Sequence, residues 1–168
     1  MRLGDMQQTP RNLINGRWEI GTTTGVSTNP SDTREVVAEY ARADRNQTEQ
    51  AVRAAADAQP YWSQSAPQRR ADVLDQVGNE LLARKDELGT LLAREEGKTL
   101  PEAVAEVARA GQIFKFFAGE ALRIQGELMA SVRQGVQVDV TREPVGVVGI
   151  VAPWNFPISI PARKLAPA

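Results

Sequence analysis

Apolar residues recur at helical spacing through the middle of the chain, and before and after that stretch they alternate or run together. Val73, Leu74, Val77, Leu81 and Leu82 form one stripe behind Ala66-Pro67, and Leu88, Leu91 and Leu92 carry it on to Gly97. Gly97 suits a helix C-cap. Pro101 fits the first turn of a further long helix, with Val104, Val107, Ala108, Phe114 and Phe117 on its buried side. Upstream, Asp44 or Asn46 can cap a helix that buries Ala51, Val52, Ala55 and Ala58 and ends near Pro60.

Strand signals flank these helices. Residues 13–20 read as a hairpin, because Asn15-Gly16 supplies the positive φ angles of a two-residue turn. Residues 21–25, three threonines between glycines, read as a loop, and residues 35–41 as another strand. Residues 133–142 alternate, with Val136, Val138 and Val140 on one face and Gln137, Asp139 and Thr141 on the other, which predicts an exposed antiparallel strand with an edge open to pairing. Residues 145–151 are nearly all apolar and β-branched, which predicts a strand buried on both faces of a parallel sheet. Pro153-Trp154-Asn155-Phe156-Pro157 cannot continue that strand. Its two prolines make a stiff turn that carries two aromatics and one neutral amide to the strand's carboxyl end, where open α/β sheets bind ligands.

Charge narrows the partners. Twenty Lys and Arg against twenty-one Asp and Glu give a net charge of −1, with no basic field for nucleic acid or an anionic membrane. The longest apolar run falls well short of the ~20 residues that span a bilayer. The first ten residues lack the apolar core of a secretory signal, so a cytoplasmic location is expected. Gly97-Lys98-Thr99 is not a phosphate loop, since Leu92 stands where that motif needs glycine. Gly146 and Gly149 likewise fail the dinucleotide-binding spacing and suit close backbone packing instead. Asn46-Gln47-Thr48 matches a glycosylation pattern that is common by chance.

Several stretches in order resemble the aldehyde dehydrogenase superfamily: Ile14-Asn15-Gly16-Arg17-Trp18, Asn29-Pro30, the Ala-rich helix leading to Trp62, Glu95-Glu96-Gly97-Lys98, residues 120–127, Arg142-Glu143-Pro144-Val145-Gly146, and the turn at Asn155. The resemblance implies the N-terminal part of that α/β fold, with an incomplete Rossmann-like parallel sheet, long helices and an antiparallel oligomerisation strand. The expected division is a leader over residues 1–12, a helix-rich part of the cofactor-binding domain over 13–130, the oligomerisation strand segment over 131–143, and the first strand-turn-helix of the dinucleotide core over 144–168. In the family the oligomerisation strand pairs with a segment from far C-terminal in the chain.

The resemblance also implies chemistry. Asn155 becomes the side-chain donor that stabilises the oxyanion formed when a thiolate adds to an aldehyde; its residue-level alternative is a helix cap. Val151, Ala152, Pro153 and Trp154 fall where relatives contact the nicotinamide ribose of NAD or NADP. Lys164 has a proton-relay or cofactor-positioning counterpart in some members, against an ordinary solvated lysine. Arg163 occupies a position from which semialdehyde dehydrogenases direct a guanidinium at a distal carboxylate, which implies a succinate or 2-oxoglutarate semialdehyde substrate. Glu95 and Ser27 align with positions that help hold a monovalent cation in some members, although both side chains differ from those usual there; no metal site is assigned.

The nucleophilic cysteine, the general-base glutamate and the pyrophosphate-gripping turn of the family are expected beyond residue 168, and the chain contains no cysteine. Without a thiol there is no covalent intermediate, so these residues alone are expected to be inactive and poorly soluble, and to work within a homo-oligomer, dimer or tetramer. The competing reading is a stand-alone binding or assembly module.

Overall fold

The computed structural model describes residues 10–168. The proposed leader lies largely outside the described residues, and its last two positions, Arg11 and Asn12, already belong to a strand. β1 (Arg11–Ile14) and β2 (Arg17–Ile20) form the expected hairpin, with Asn15 at φ 51° and Gly16 at φ 71° in the turn. The Gln47 side chain ties this hairpin to the first helix by donating to Ile20 O at 2.7 Å.

Residues 21–25 correct the loop expectation. β3 (Thr23–Asn29) takes in most of them and pairs antiparallel with β4 (Asp32–Arg42). Threonines are β-branched and favour a pleated strand even without apolar alternation. Gly25 lets the Tyr40 ring pack over it, since a Cβ there would lie 2.3 Å from that ring and displace it.

α1 (Arg45–Ser63) starts at Asp44, whose carboxylate accepts from Gln47 N at 2.8 Å, and continues past Pro60. Its expected buried stripe is not buried: Val52 is 57% exposed, and no residue of the helix is buried. β1 approaches the start of the helix, where Asn12 donates to Gln47, and Val52, Ala55 and Ala58 stay exposed. α2 (Pro67–Ala83), α3 (Lys85–Glu96) and α4 (Leu100–Ala121) form the core. α2 approaches α4 where Gly78 faces Gly111, and α3 approaches it where Gly89 faces Val104. Ala103, Val107, Ala110, Ile113 and Phe114 of α4 are buried between them, while Val73 and Val77 of the predicted stripe stay partly exposed. The α3 stripe ends as expected on Gly97, which adopts φ 85° and donates to Ala93 O.

β6 (Gln137–Val140) realises the centre of the alternating segment, and one of its edges is taken by β5 (Glu127–Ala130), a local partner the pattern did not reveal. The expected buried strand at residues 145–151 forms no ladder: Val145 is 92% exposed and Gly146 adopts φ 104°. A strand is completed by its neighbours, and no described strand runs beside it; the three described ladders are all antiparallel. The chain then turns into α5 (Ser159–Leu165), whose Ala162 packs with Ala166 against Ala110, Ile113 and Phe114. Among the described residues no helix is long and apolar enough to cross a membrane.

Candidate functional site

The turn at residues 153–158 has no secondary structure of its own, so side chains from elsewhere must hold it. Glu106 does so from α4. It sits on the apolar face between Ala103, Val107 and Ala110, and its Oε1 accepts from Ile158 N at 3.0 Å and Ser159 N at 3.1 Å. These two amides open α5 and would otherwise lack partners. Ile158, the N-cap, supplies no side-chain acceptor, so the buried carboxylate of another helix takes the role.

Lys98 completes the frame. It follows the left-handed Gly97 directly and turns inward, with its Nζ 2.5 Å from Glu106 Oε2, 2.8 Å from Glu96 Oε2 and 3.2 Å from the Asn155 carbonyl oxygen. The same ammonium lies 4.4 Å from the centre of the Phe156 ring, within cation–π range. The Glu96 contact is ionic rather than an aligned hydrogen bond, since that buried oxygen has no hydrogen-bond partner. Burial is the largest single influence on Lys98 and opposes its charge, yet the carboxylates of Glu106 and Glu96 together outweigh it and raise the pKa above its ordinary value.

Asn155 itself is exposed, and its carboxamide has no partner among the described residues. The capping alternative therefore fails: Glu106 caps α5, and the Asn155 amide remains available to a ligand. Trp154 is 81% and Val151 85% exposed, with Ala152 half-buried between them. Lys164 reaches back from α5 to donate to Val151 O at 3.1 Å, which joins two of the predicted site positions directly. Arg163 is exposed with no carboxylate partner among the described residues. Ser27 and Glu95 do meet, Oγ to Oε1 at 3.3 Å, but no group of three or more His, Cys, Asp or Glu suited to a metal is present among the described residues.

The edge from Val151 to Trp154 offers apolar side chains, an indole face and backbone that no described ladder occupies. Nothing among these residues resembles a glycine-rich turn for the pyrophosphate. The residues that sequence reasoning missed are Lys98, Glu96 and Glu106. Glu106 was detectable as a lone carboxylate on an otherwise apolar helix face, and such a charge needs a buried partner.

A family model described as "Aldehyde dehydrogenase family" matches residues 19–168. The chain is 42% identical over 166 residues to the alpha-ketoglutarate semialdehyde dehydrogenase of Haloferax volcanii, covering 97% of this chain and 34% of that protein. It is 37% identical over 165 residues to the alpha-ketoglutaric semialdehyde dehydrogenase of Bacillus subtilis, covering 96% of this chain and again 34% of the relative. The crystal structure of an aldehyde dehydrogenase from Brucella melitensis biovar abortus superposes with a TM-score of 0.90 at 32% identity, covering 95% of this chain and 33% of that one. The chain thus spans about a third of the length of the curated relatives it matches.

Proposed function

Since the chain belongs to the aldehyde dehydrogenase family, we propose that it forms the N-terminal part of an NAD(P)-dependent dehydrogenase that oxidises a dicarboxylic semialdehyde to the acid. The observation that carries this reading is the Asn155 carboxamide, exposed and without a partner among the described residues, on a turn whose backbone is gripped by Lys98 and Glu106. A neutral donor fixed in place stabilises a developing oxyanion without ionising and without reorganising during the reaction. Asn155 Nδ2 donates to the aldehyde oxygen as a thiolate, supplied by the remainder of the subunit, adds to the carbonyl carbon.

Val151, Ala152, Pro153 and Trp154 hold the nicotinamide end of NAD or NADP. When bound, that group accepts the hydride of the oxidation. Lys164 fixes the position of this segment through Val151 O. Arg163, whose guanidinium has no carboxylate partner among the described residues, recognises the distal carboxylate of the substrate in bidentate fashion. The names of the Haloferax and Bacillus relatives support 2-oxoglutarate semialdehyde, with succinate semialdehyde as the shorter candidate. The working form is read as a cytoplasmic homo-oligomer, with β6 contributing an edge to its assembly.

The test compares the 168-residue chain with a subunit completed to the length of its relatives. The completed subunit is expected to reduce NAD or NADP with 2-oxoglutarate semialdehyde, and the chain alone is not. Reduction by the chain alone, or none by a folded completed subunit, contradicts the proposal. The exposed apolar surface at residues 145–151 and on β6 favours one other reading, a module that acts by assembly. Specific complex formation without turnover in the completed subunit would select it.

A further inference from the structure

We propose that Lys98 is a positioning residue that sets where the Asn155 carboxamide points. The inference rests on the oxyanion reading of Asn155 for its functional meaning and on the geometry alone for its structural content. The turn is gripped at two places. Lys98 holds the Asn155 carbonyl and the Phe156 ring, and Glu106 holds the amides of Ile158 and Ser159. The 2.5 Å contact between Lys98 and Glu106 joins the two grips into one unit.

The placement of these residues in the fold follows from the sequence around them. The left-handed Gly97 ends α3 and aims the next side chain inward, so Lys98 arrives beneath the turn rather than in solvent. Its side chain is 12% exposed, and that of Glu106 is 3% exposed. A salt bridge so enclosed is a poor device for stability compared with apolar packing, because both charges are taken out of water. It is a good device for direction. One ammonium meets two carboxylates, a carbonyl and a ring face at once, and no aliphatic side chain could orient the Asn155 peptide. With its carbonyl oxygen held towards Lys98, the backbone from which the Asn155 side chain departs is restrained, and the carboxamide is exposed beside the exposed Trp154.

Two arms test this. In the first, amide hydrogen exchange of the 168-residue chain is followed by mass spectrometry in the wild type, Lys98→Met and Lys98→Arg. Lys98→Met is expected to speed exchange of the bonded amides of residues 158–160 by about 10-fold or more, the population change that loss of one charge-assisted hydrogen bond produces, while residues 107–121 of α4 keep their protection. Lys98→Arg preserves the charge and is expected to recover most of that protection, and it keeps the test intact should the Met variant fail to fold. Unchanged exchange at the turn, or a rise shared equally by α4, overturns the proposal, because the lysine would then be irrelevant or generally structural.

In the second arm, Lys98→Met is placed in the completed subunit alone and on Asn155→Ala. It is expected to lower kcat with KM little changed, and to add no further loss on the Asn155→Ala background, since a residue acting through Asn155 has nothing left to position. Losses that multiply refute the coupling. If Asn155→Ala by itself leaves turnover intact, the oxyanion reading falls, and the exchange arm still decides whether Lys98 holds the turn.

Discussion

Replacing Glu106 by leucine gives the sharpest energetic forecast the fold allows. The carboxylate is buried, accepts from two backbone amides at 3.0 and 3.1 Å, and pairs with Lys98 at 2.5 Å. Leucine is similar in length and apolar, as are its neighbours Ala103, Val107 and Ala110. It leaves the Ser159 amide buried without an acceptor and Lys98 with Glu96 as its remaining anion. Breaking a buried pair from one side costs about 3–5 kcal/mol, a figure that already contains the orphaned donors. The added apolar burial offsets part of this, about 1–2 kcal/mol. The expected net loss is about 1–4 kcal/mol, which for a chain of this size lowers Tm by roughly 2–16 °C. Glu106→Gln keeps an acceptor for both amides and should lose roughly half as much. Urea unfolding of both variants, followed by far-UV circular dichroism at one protein concentration, measures the difference. A leucine variant as stable as the wild type would show that the α5 amides do not depend on Glu106.

Gly89→Ala should destabilise the chain by about 1–2 kcal/mol, because the new Cβ would lie 2.8 Å from Val104 Cα and 2.9 Å from its backbone nitrogen, an overlap that exceeds the gain in helix propensity. Gly119→Ala, where the nearest atom is an Arg123 guanidinium nitrogen at 3.5 Å, should instead gain up to about 1 kcal/mol by the same urea unfolding measurement. Glu35 accepts from Asn29 at 2.7 Å and from Arg94 at 2.8 Å, and these partners hold its carboxyl below the ordinary value of 4.5. A depressed carboxylate contributes stability above its unfolded pKa and loses it as pH falls through the folded one, so Glu35→Gln should flatten the stability profile below about pH 4.5, and an unchanged acid profile would remove Glu35 from that role. In a completed subunit, Arg163→Trp should lower kcat/KM for a semialdehyde acid by roughly 10–150-fold and leave a neutral aldehyde of equal length nearly untouched; equal losses on both would dispose of the carboxylate clamp.

The local rules carried much of this architecture. Asn15-Gly16, Asp44, Ala66-Pro67, Gly97 and Pro101 each act where short-range backbone chemistry is decisive, and each appears in the predicted place. The failures occur where burial depends on a distant neighbour. Val52 and residues 145–151 look buried by composition, but no described element packs on them. β5 was invisible because four residues without alternation carry no periodic signal. The site was legible in part: Asn155 and Lys164 follow from the turn and its resemblance, whereas Lys98 and Glu106 meet the turn across more than fifty residues of chain, a distance at which spacing says nothing.

The central claim, that Asn155 is the oxyanion donor of an aldehyde dehydrogenase subunit, is tested most directly by the turnover of Asn155→Ala in the completed enzyme. The account predicts a fall in kcat of roughly 10²–10³-fold, with substrate and cofactor binding largely preserved, as for loss of one oxyanion-hole donor. Wild-type turnover in that variant would contradict it.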